Sequence, residues 1–307
     1  MKKAALLVAA LIAIALFWAA PAFPGTVPVS IVPENARWVA HLDMEKFVAT
    51  KLFAALEKDG RFDIKSRDAN RWLKMDLTKD VTGVTLIGFG PGAKGQAVVA
   101  VNGRFDKARL MTLLDLAEDR TEKAYGAYTV YSTGDDEFGA FVNDNLVVLG
   151  EDQASIEKVL DTAAGKTKNF AGSALSAALK DLPAGAFLSG VLPDLSGLSS
   201  MNSQSKILEK ASGLFFLAQE TNDQLLVRLQ VTADSPESGK NMLDLVQGII
   251  AMGRLGGNEG HMAQIASLLD GLQVKLDGKV LKLDFERPVQ EIVDLISKGH
   301  GLHGLLD

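Results

Sequence analysis

Residues 272–285 read LQVKLDGKVLKLDF, and this stretch decides the fold class. Apolar and polar side chains alternate on both sides of Asp277 and Gly278, which is typical of half-buried strands. Asp-Gly is also among the strongest signals for a tight turn, because both central residues of such a turn must tolerate a positive φ. The stretch therefore predicts an antiparallel hairpin.

Strand patterns of the same kind recur along the rest of the chain. They are predicted at 36–42, 81–88, 96–102, 138–142, 146–150, 186–191, 212–219 and 224–232. Several of these patterns come in adjacent pairs joined by short turns, and such connections produce antiparallel neighbours. The strands are therefore expected to form antiparallel sheet.

Amphipathic helices come in two pairs, and the members of each pair share one spacing. The first pair consists of Leu110, Leu113, Leu114 and Ala117 and, 132 residues later, Met242, Leu245, Val246 and Ile249. The second pair consists of Ile156, Val159, Leu160 and Ala163 and, 133 residues later, Val289, Ile292, Val293 and Ile296. All four sets follow the i, i+3, i+4, i+7 pattern of a helix with one apolar stripe. Asp106 and Ser235 are the predicted N-caps of the first pair.

This repetition predicts an α+β protein made of two similar halves. Each half is expected to be an antiparallel sheet with amphipathic helices packed on one face. The first repeat is placed at 35–166, with an insertion near 61–77, and the second at 183–298. A linker with a short helix at 167–182 and a flexible tail at 299–307 complete the expected organisation.

The first 22 residues have the pattern of an export signal. Lys2 and Lys3 precede an uncharged apolar stretch that ends at Ala20-Pro21-Ala22. This arrangement predicts a secretory signal peptide cut after Ala22. An uncleaved N-terminal anchor is the alternative, because the stretch reaches the roughly 17 residues needed to span a bilayer. Both readings place the remaining chain outside the cytoplasm, in the periplasm or at the cell surface of a bacterium, in the anchored case tethered to the inner membrane.

The amino-acid composition argues against several classes of binding partner for this protein. The chain is 47% hydrophobic and 23% charged, as in a folded protein, and it contains no cysteine for disulfides, a lipid anchor or zinc. Removal of Lys2 and Lys3 lowers the 32 basic residues to 30, against 38 acidic residues, which gives a net charge of −8. The basic residues are scattered among acidic ones, so we expect no nucleic-acid partner. Membrane contact is expected only through an uncleaved N-terminal segment.

Two short motifs in the first half resemble a known group of sequences. They are WVAHLD at 38–43, followed by a predicted helix, and GRFD at 103–106. The chain is similar in these motifs to uncharacterised exported bacterial proteins with a duplicated α+β domain. The resemblance implies a fold type and an envelope location, and it implies no activity and no catalytic residue.

Several motifs suggest chemistry that their surroundings do not support. Residues 90–95, GPGAKG, match a dinucleotide-binding pattern, but a strand and not a helix is predicted to follow, so a hairpin turn is expected. The acidic residues 135–137 lack calcium-loop spacing. His300 and His303 lie among glycines in the predicted tail. Residues 203–206 have a Ser-x-x-Lys spacing without its companion motifs. The sequence therefore predicts no cofactor and no metal site, and catalytic residues stay unknown.

Residues 242–269 form an apolar segment interrupted five times by glycine. The simpler interpretation is two core helices joined by a glycine-rich turn, with the first helix ending near Arg254. The alternative is a mobile lid over an apolar surface. Methionine adapts to varied apolar shapes, and the candidate contacts for an apolar ligand are Met242, Val246, Ile249, Met252 and Met262.

Three classes of function stay open. The leading hypothesis is a non-enzymatic binding or interaction module of the bacterial envelope. The alternative is a carrier that holds a lipid or another apolar ligand between sheet and helices. The third is an envelope hydrolase whose site is assembled from distant acidic residues such as Asp43, Asp80 and Asp106, although capping or turns already explain each of these.

Overall fold

The computed structural model describes residues 27–59, 75–90, 96–117, 119–134, 136–172, 176, 179, 182–192, 210–255 and 271–297. The chain divides into two compact units, Met1–Leu182 and Pro183–Asp307. The predicted signal at 1–22, most of the insertion near 61–77 and the tail at 299–307 lie outside the described residues. The exact domain boundaries, including the linker at 167–182, stay a prediction.

In its described part, the first unit contains seven antiparallel strands. The strands are β1 (Trp38–Asp43), β2 (Val81–Gly88), β3 (Ala97–Gly103), β4 (Arg120–Tyr125), β5 (Tyr128–Thr133), β6 (Phe138–Asn143) and β7 (Leu146–Gly150). The helices described in this unit are α1 (Met44–Val48), α2 (Lys51–Asp59), α3 (Leu77–Asp80), α4 (Lys107–Leu114) and α5 (Gln153–Ala163). Hydrogen bonding places the strands in the order β1-β2-β3-β7-β6-β5-β4.

One face of this sheet is deeply buried where β1, β2 and β3 pair. Val39 pairs with Ile87, Ile87 pairs with Val98, and the side chains of all three are 0% exposed. Directly paired residues lie on the same side of a sheet, so these side chains form one continuous apolar row. Helix α5 contacts β3, β6 and β7 and contributes the buried stripe of Ile156, Val159 and Leu160. The core of the first unit includes this face and the stripe of α5.

The hairpin β4–β5 is absent from the sequence-based prediction. Four of the six residues of β4 are exposed, because β4 is the terminal strand in this order and has a polar sequence, RTEKAY. A strand without apolar alternation gives no periodic signal. The hairpin is attached to α5, since the Tyr125 hydroxyl donates a hydrogen bond to Asp161 Oδ2 at 2.8 Å.

The second unit contains five antiparallel strands in its described part. They are β8 (Ala186–Leu192), β9 (Ala211–Thr221), β10 (Gln224–Ala233), β11 (Leu272–Asp277) and β12 (Val280–Pro288), in the order β8-β9-β10-β12-β11. The helices are α6 (Pro236–Leu255) and α7 (Val289–Ser297). Asn222 and Asp223 connect β9 to β10 with φ of 52° and 63°, as a two-residue hairpin turn with two left-handed residues requires.

The predicted α+β class with antiparallel sheet is confirmed. Five strands in each unit share one arrangement. Their order in the sheet is β1-β2-β3-β7-β6 in the first unit and β8-β9-β10-β12-β11 in the second, and corresponding strands also follow one another in the same order along the chain. The units differ where the first has the 8-residue α4 and the hairpin β4–β5, while the second has the 20-residue α6. Residues 256–270, between α6 and β11, lie outside the described residues. The duplication itself stays a prediction.

The helix starts follow local chemistry. Asp106 Oδ1 accepts a hydrogen bond from Arg109 N at 3.0 Å, and Ser235 Oγ accepts one from Ser238 N at 3.1 Å, so both side chains occupy the predicted N-cap positions. Helix α6 begins with Pro236 and extends to Leu255, where the described residues of this segment end, so the expected helix end near Arg254 stays a prediction. Within the described residues, no helix combines the length and the apolar character needed to cross a membrane.

Candidate functional site

The sheet of the second unit has one strongly apolar face. Val231 pairs with Leu214 on one side and with Leu281 on the other, and Leu281 pairs with Leu276. Because side chains alternate along each strand, the same side also carries the residues two and four positions away. This surface, called the apolar face below, consists of Leu214, Phe216, Leu225, Val227, Leu229, Val231, Leu281, Leu283, Phe285, Leu272, Val274 and Leu276.

The opposite face of β10 and β12 is polar. Arg228 pairs with Asp284 across the two strands, and its guanidinium donates to both carboxylate oxygens at 2.7 and 2.8 Å. The hydrogen bonds that Arg228 donates to the Asp284 carboxylate raise the pKa of the guanidinium. Gln230 and Lys282 form the next pair on this face. Between β10 and β12 the sheet is therefore amphipathic, although the side of Arg228 also carries apolar residues, at Leu226 of β10 and at Phe215 and Leu217 of β9.

Helix α6 covers one end of the apolar face. Met242 is buried there with Ala211, Ala233 and Leu281, and Val246 packs against the same cluster. These contacts form a closed core at the end of the sheet where α6 begins. They resemble ordinary packing of an amphipathic helix on a sheet.

The apolar face is only partly covered farther along the strands. Leu229, in the middle of β10, is 38% exposed, and its neighbours Phe216, Val227 and Phe285 are only half-buried. Leu245 on α6 is 45% exposed. Leu229 is therefore the exposed member of this apolar face, and the partly buried side chains of Phe216, Val227 and Phe285 surround it.

A shallow groove of about 300 Å³ lies between α6 and β11. Its lining residues are Gln247, Ile250, Ala251, Leu272 and Val274. None of these five side chains is charged, and Gln247 supplies the polar group. The groove is largely open to solvent, and its volume is at the lower limit of small-molecule sites in proteins.

The residues predicted as ligand contacts are distributed differently. The structure places Met242 in the core cluster, with Val246 packed against it. Ile249 and Met252 belong to α6, but their side chains lie outside the described part, as does all of Met262. Their role as ligand contacts stays a prediction.

Sequence reasoning missed the groove residues on β11. The alternation of Leu272 and Val274 indicated one shared side of a strand, but it could not indicate which helix lies above that side. The position of Ile250 in the groove could not be predicted either, because Ile250 is one of several apolar residues around α6. The groove depends on the pairing of β11 with β12 and on the path of α6, both of which are tertiary features.

The acidic residues considered for catalysis have local structural partners. Asp43 Oδ1 accepts a hydrogen bond from Lys46 N at 2.9 Å, and Asp80 Oδ2 accepts one from Asp76 N at 2.7 Å. Asp106 caps α4. Among the described residues, no three metal-ligating side chains lie close enough to hold a metal ion.

The remaining motifs lie partly or wholly outside the described residues. Residues 91–95 of the glycine motif are not described, but β2 and β3 on either side of it form an antiparallel pair, closed by a 2.9 Å bond from Phe89 N to Gln96 O. Asp135 and residues 203–206 lie outside the described residues, together with His261, His300 and His303.

His41 is the histidine within the described residues, and it is buried in the first unit. It is 3% exposed and pairs across strands with Thr85, which is 0% exposed. Burial in this apolar face lowers the pKa of His41 from 6.5 to about 3; Asp43 acts in the opposite direction and Lys46 in the same direction. The imidazole is therefore neutral in the folded protein near neutral pH.

No family model and no curated protein sequence matches this chain. Its fold is similar to solved structures of TP0453. Crystal form III of TP0453 has a TM-score of 0.51 and 10% sequence identity over 89% of this chain and 99% of that chain. Crystal form IV has a TM-score of 0.51 and 9% identity over 89% of this chain and 97% of that chain. At such low identity the likeness shows a shared fold alone.

Proposed function

We propose that this protein is a non-enzymatic binding protein of the bacterial envelope, which holds an apolar ligand on the apolar face of its second unit. The observation that carries the proposal is the half-exposed set of Phe216, Val227, Leu229 and Phe285 beside the uncharged groove under α6. The proposal combines two hypotheses from the sequence, the binding module and the carrier of an apolar ligand, and assigns both to the apolar face.

The energetics favour a ligand with an elongated apolar part. Covering about 300 Å² of apolar surface is worth roughly 7 kcal/mol, from which the cost of association must be subtracted. The net value corresponds to weak or moderate affinity, as a carrier that releases its cargo requires. A single hydrocarbon chain would fit the shallow groove of about 300 Å³ beside Leu272 and Val274.

Export is part of the same proposal. The apolar stretch before Ala22 supports secretion, and a net charge of −8 after its removal suits a protein that does not adhere to nucleic acid. Mass spectrometry of the mature protein purified from a bacterial host tests the cut after Ala22. A mature chain beginning at Phe23 agrees with cleavage, whereas an intact Met1 in the membrane fraction favours the anchor.

Binding is tested by titrating the protein with N-phenyl-1-naphthylamine, a neutral dye that fluoresces in apolar surroundings. We expect a saturable increase in fluorescence that decanol displaces. Leu229→Ser should weaken dye binding about fivefold or more, because the ligand no longer covers a leucine side chain there.

Leu116 provides a matched control in the first unit. It is 58% exposed and lies outside the apolar face, so Leu116→Ser should leave the dye affinity unchanged. No saturable dye binding by the unaltered protein, or equal losses from both substitutions, would contradict the proposal. Hydrolysis of an ester substrate that a single Asp or Ser substitution abolishes would instead favour the envelope hydrolase.

A further inference from the structure

Helix α6 contains glycines at two positions whose surroundings differ. At Gly239, an added Cβ would lie 3.1 Å from Leu276 Cδ1 and 3.7 Å from Ala233 Cβ, so the missing side chain lets the start of the helix approach the sheet closely. At Gly248, an added Cβ would have no atom of the described residues within 4 Å beyond the adjacent turns of the helix. Packing therefore accounts for the glycine at position 239 and gives no reason for the glycine at position 248.

The glycine at position 248 weakens the helix. Gly248 lies in the interior of α6, which spans 20 residues, and glycine is among the least favourable residues in a helix interior. The reason is that glycine gains more backbone freedom than alanine when the helix unwinds. Helix α6 is therefore easier to unwind at this position, between its first part, residues 236–247, and its second part, residues 249–255.

The first part of α6 is anchored to the sheet. Ser235 caps its first turn through a hydrogen bond of 3.1 Å. Met242 is 4% exposed in the core cluster at the end of the sheet, and Leu243 and Val246 pack against that cluster. In the described part of α6, the members of this cluster all precede Gly248. The anchoring contacts can therefore persist while the helix unwinds at position 248.

The second part of α6 forms one wall of the groove. Ile250 is half-buried and Ala251 is exposed, while Leu272 and Val274 of β11 line the same groove. Because the groove is open to solvent, Ile250 and Ala251 are packed less tightly than Met242 in the anchored part. Segments with few buried apolar contacts are the ones that open most readily in folded proteins.

We infer that α6 unwinds at Gly248, and that its second part moves away from β11 to admit the apolar ligand and then returns over it. This inference rests on the proposed function for the identity of the ligand. The continuous helix is the resting form with and without ligand, and the unwound form is populated only briefly. Gly248 therefore controls how fast the ligand enters and leaves the groove, and not how tightly it is held.

Stopped-flow fluorescence with N-phenyl-1-naphthylamine tests this role in the unaltered protein and in Gly248→Ala. Alanine disfavours the unwound form, so the association and dissociation rate constants should both fall about fivefold, equivalent to about 1 kcal/mol, while the dissociation constant stays the same. Asn241→Ala is the matched control, because it raises helix propensity at an exposed position of the anchored part and should change neither rate constant. Unchanged rate constants in Gly248→Ala, or a changed affinity with an unchanged dissociation rate constant, would overturn the inference.

Amide hydrogen exchange without any ligand separates this inference from the proposed function. Residues 249–255 should exchange faster than residues 236–247 in the unaltered protein, and Gly248→Ala should slow the exchange of residues 249–255 about fivefold. Absence of dye binding together with this exchange pattern would refute the proposed site and, with it, the role of the motion in ligand entry. Dye binding together with exchange rates that Gly248→Ala does not change would refute the hinge and leave the site standing.

Discussion

Acidification is expected to destabilise the protein through His41. The side chain is 3% exposed, and burial lowers its folded-state pKa to about 3 from the ordinary histidine value of 6.5. Below pH 6.5 the unfolded chain binds a proton at this position that the folded protein does not bind. The free energy of unfolding therefore falls as the pH decreases from 6.5 towards 3, and the contribution of His41 is complete above that window.

The magnitude follows from the two pKa values. Each pH unit within the window removes about 1.4 kcal/mol, so the loss between pH 7.5 and pH 5 is about 2 kcal/mol from His41 alone. Such a loss is a large part of the stability of an ordinary domain. Asp43 and Lys46, the charged groups that influence the imidazole, affect its pKa in opposite directions and less than burial does.

Urea unfolding at several pH values between 7.5 and 5 measures this effect in the unaltered protein and in His41→Gln. The glutamine variant cannot take up the proton, so its stability should fall about 2 kcal/mol less over this range. Carboxylates contribute to both proteins and cancel in the comparison. Parallel stability curves for the two proteins would refute the buried, neutral state of His41.

Two further substitutions test local contacts in the first unit. Gly88→Ala should destabilise the protein by about 1–3 kcal/mol and alter tryptophan fluorescence, because its Cβ would lie 1.9 Å from Trp38 Cε2. Gly172→Ala is the control, since a Cβ there would have no atom within 4 Å, and equal stabilities of the two variants in urea would contradict the contact at Gly88. Asp152→Ala should lower the free energy of unfolding by about 1 kcal/mol, because Asp152 Oδ2 accepts a hydrogen bond from Ser155 N at 3.0 Å at the start of α5. A melting temperature equal to that of the unaltered protein would exclude this capping role.

Local patterns made several elements predictable. The hairpin at Asp277 and Gly278 was predicted from alternation and turn chemistry, and it forms β11 and β12. Its turn is shifted by one residue, because Asp277 pairs with Val280 and the connection consists of Gly278 and Lys279. Gly278 has a φ of 60°, so the glycine supplies the left-handed residue as expected. The exact register depended on strand pairing, which the local signal does not contain.

Other features depend on contacts between distant residues. The strand β4 carries too few apolar residues for its pattern to be detected, and it is held by β5 and by contacts of the hairpin with α5. The groove combines Ile250 of α6 with Leu272 and Val274 of β11.

The most direct test of the central claim is photoaffinity labelling of the mature protein with a diazirine-bearing fatty acid, followed by mass spectrometry of the peptides. The apolar site predicts adducts concentrated in peptides that contain α6, β10 and β11, and excess decanoate should suppress them. Labelling confined to the first unit, or spread evenly over both units and insensitive to decanoate, would contradict a ligand site on the apolar face.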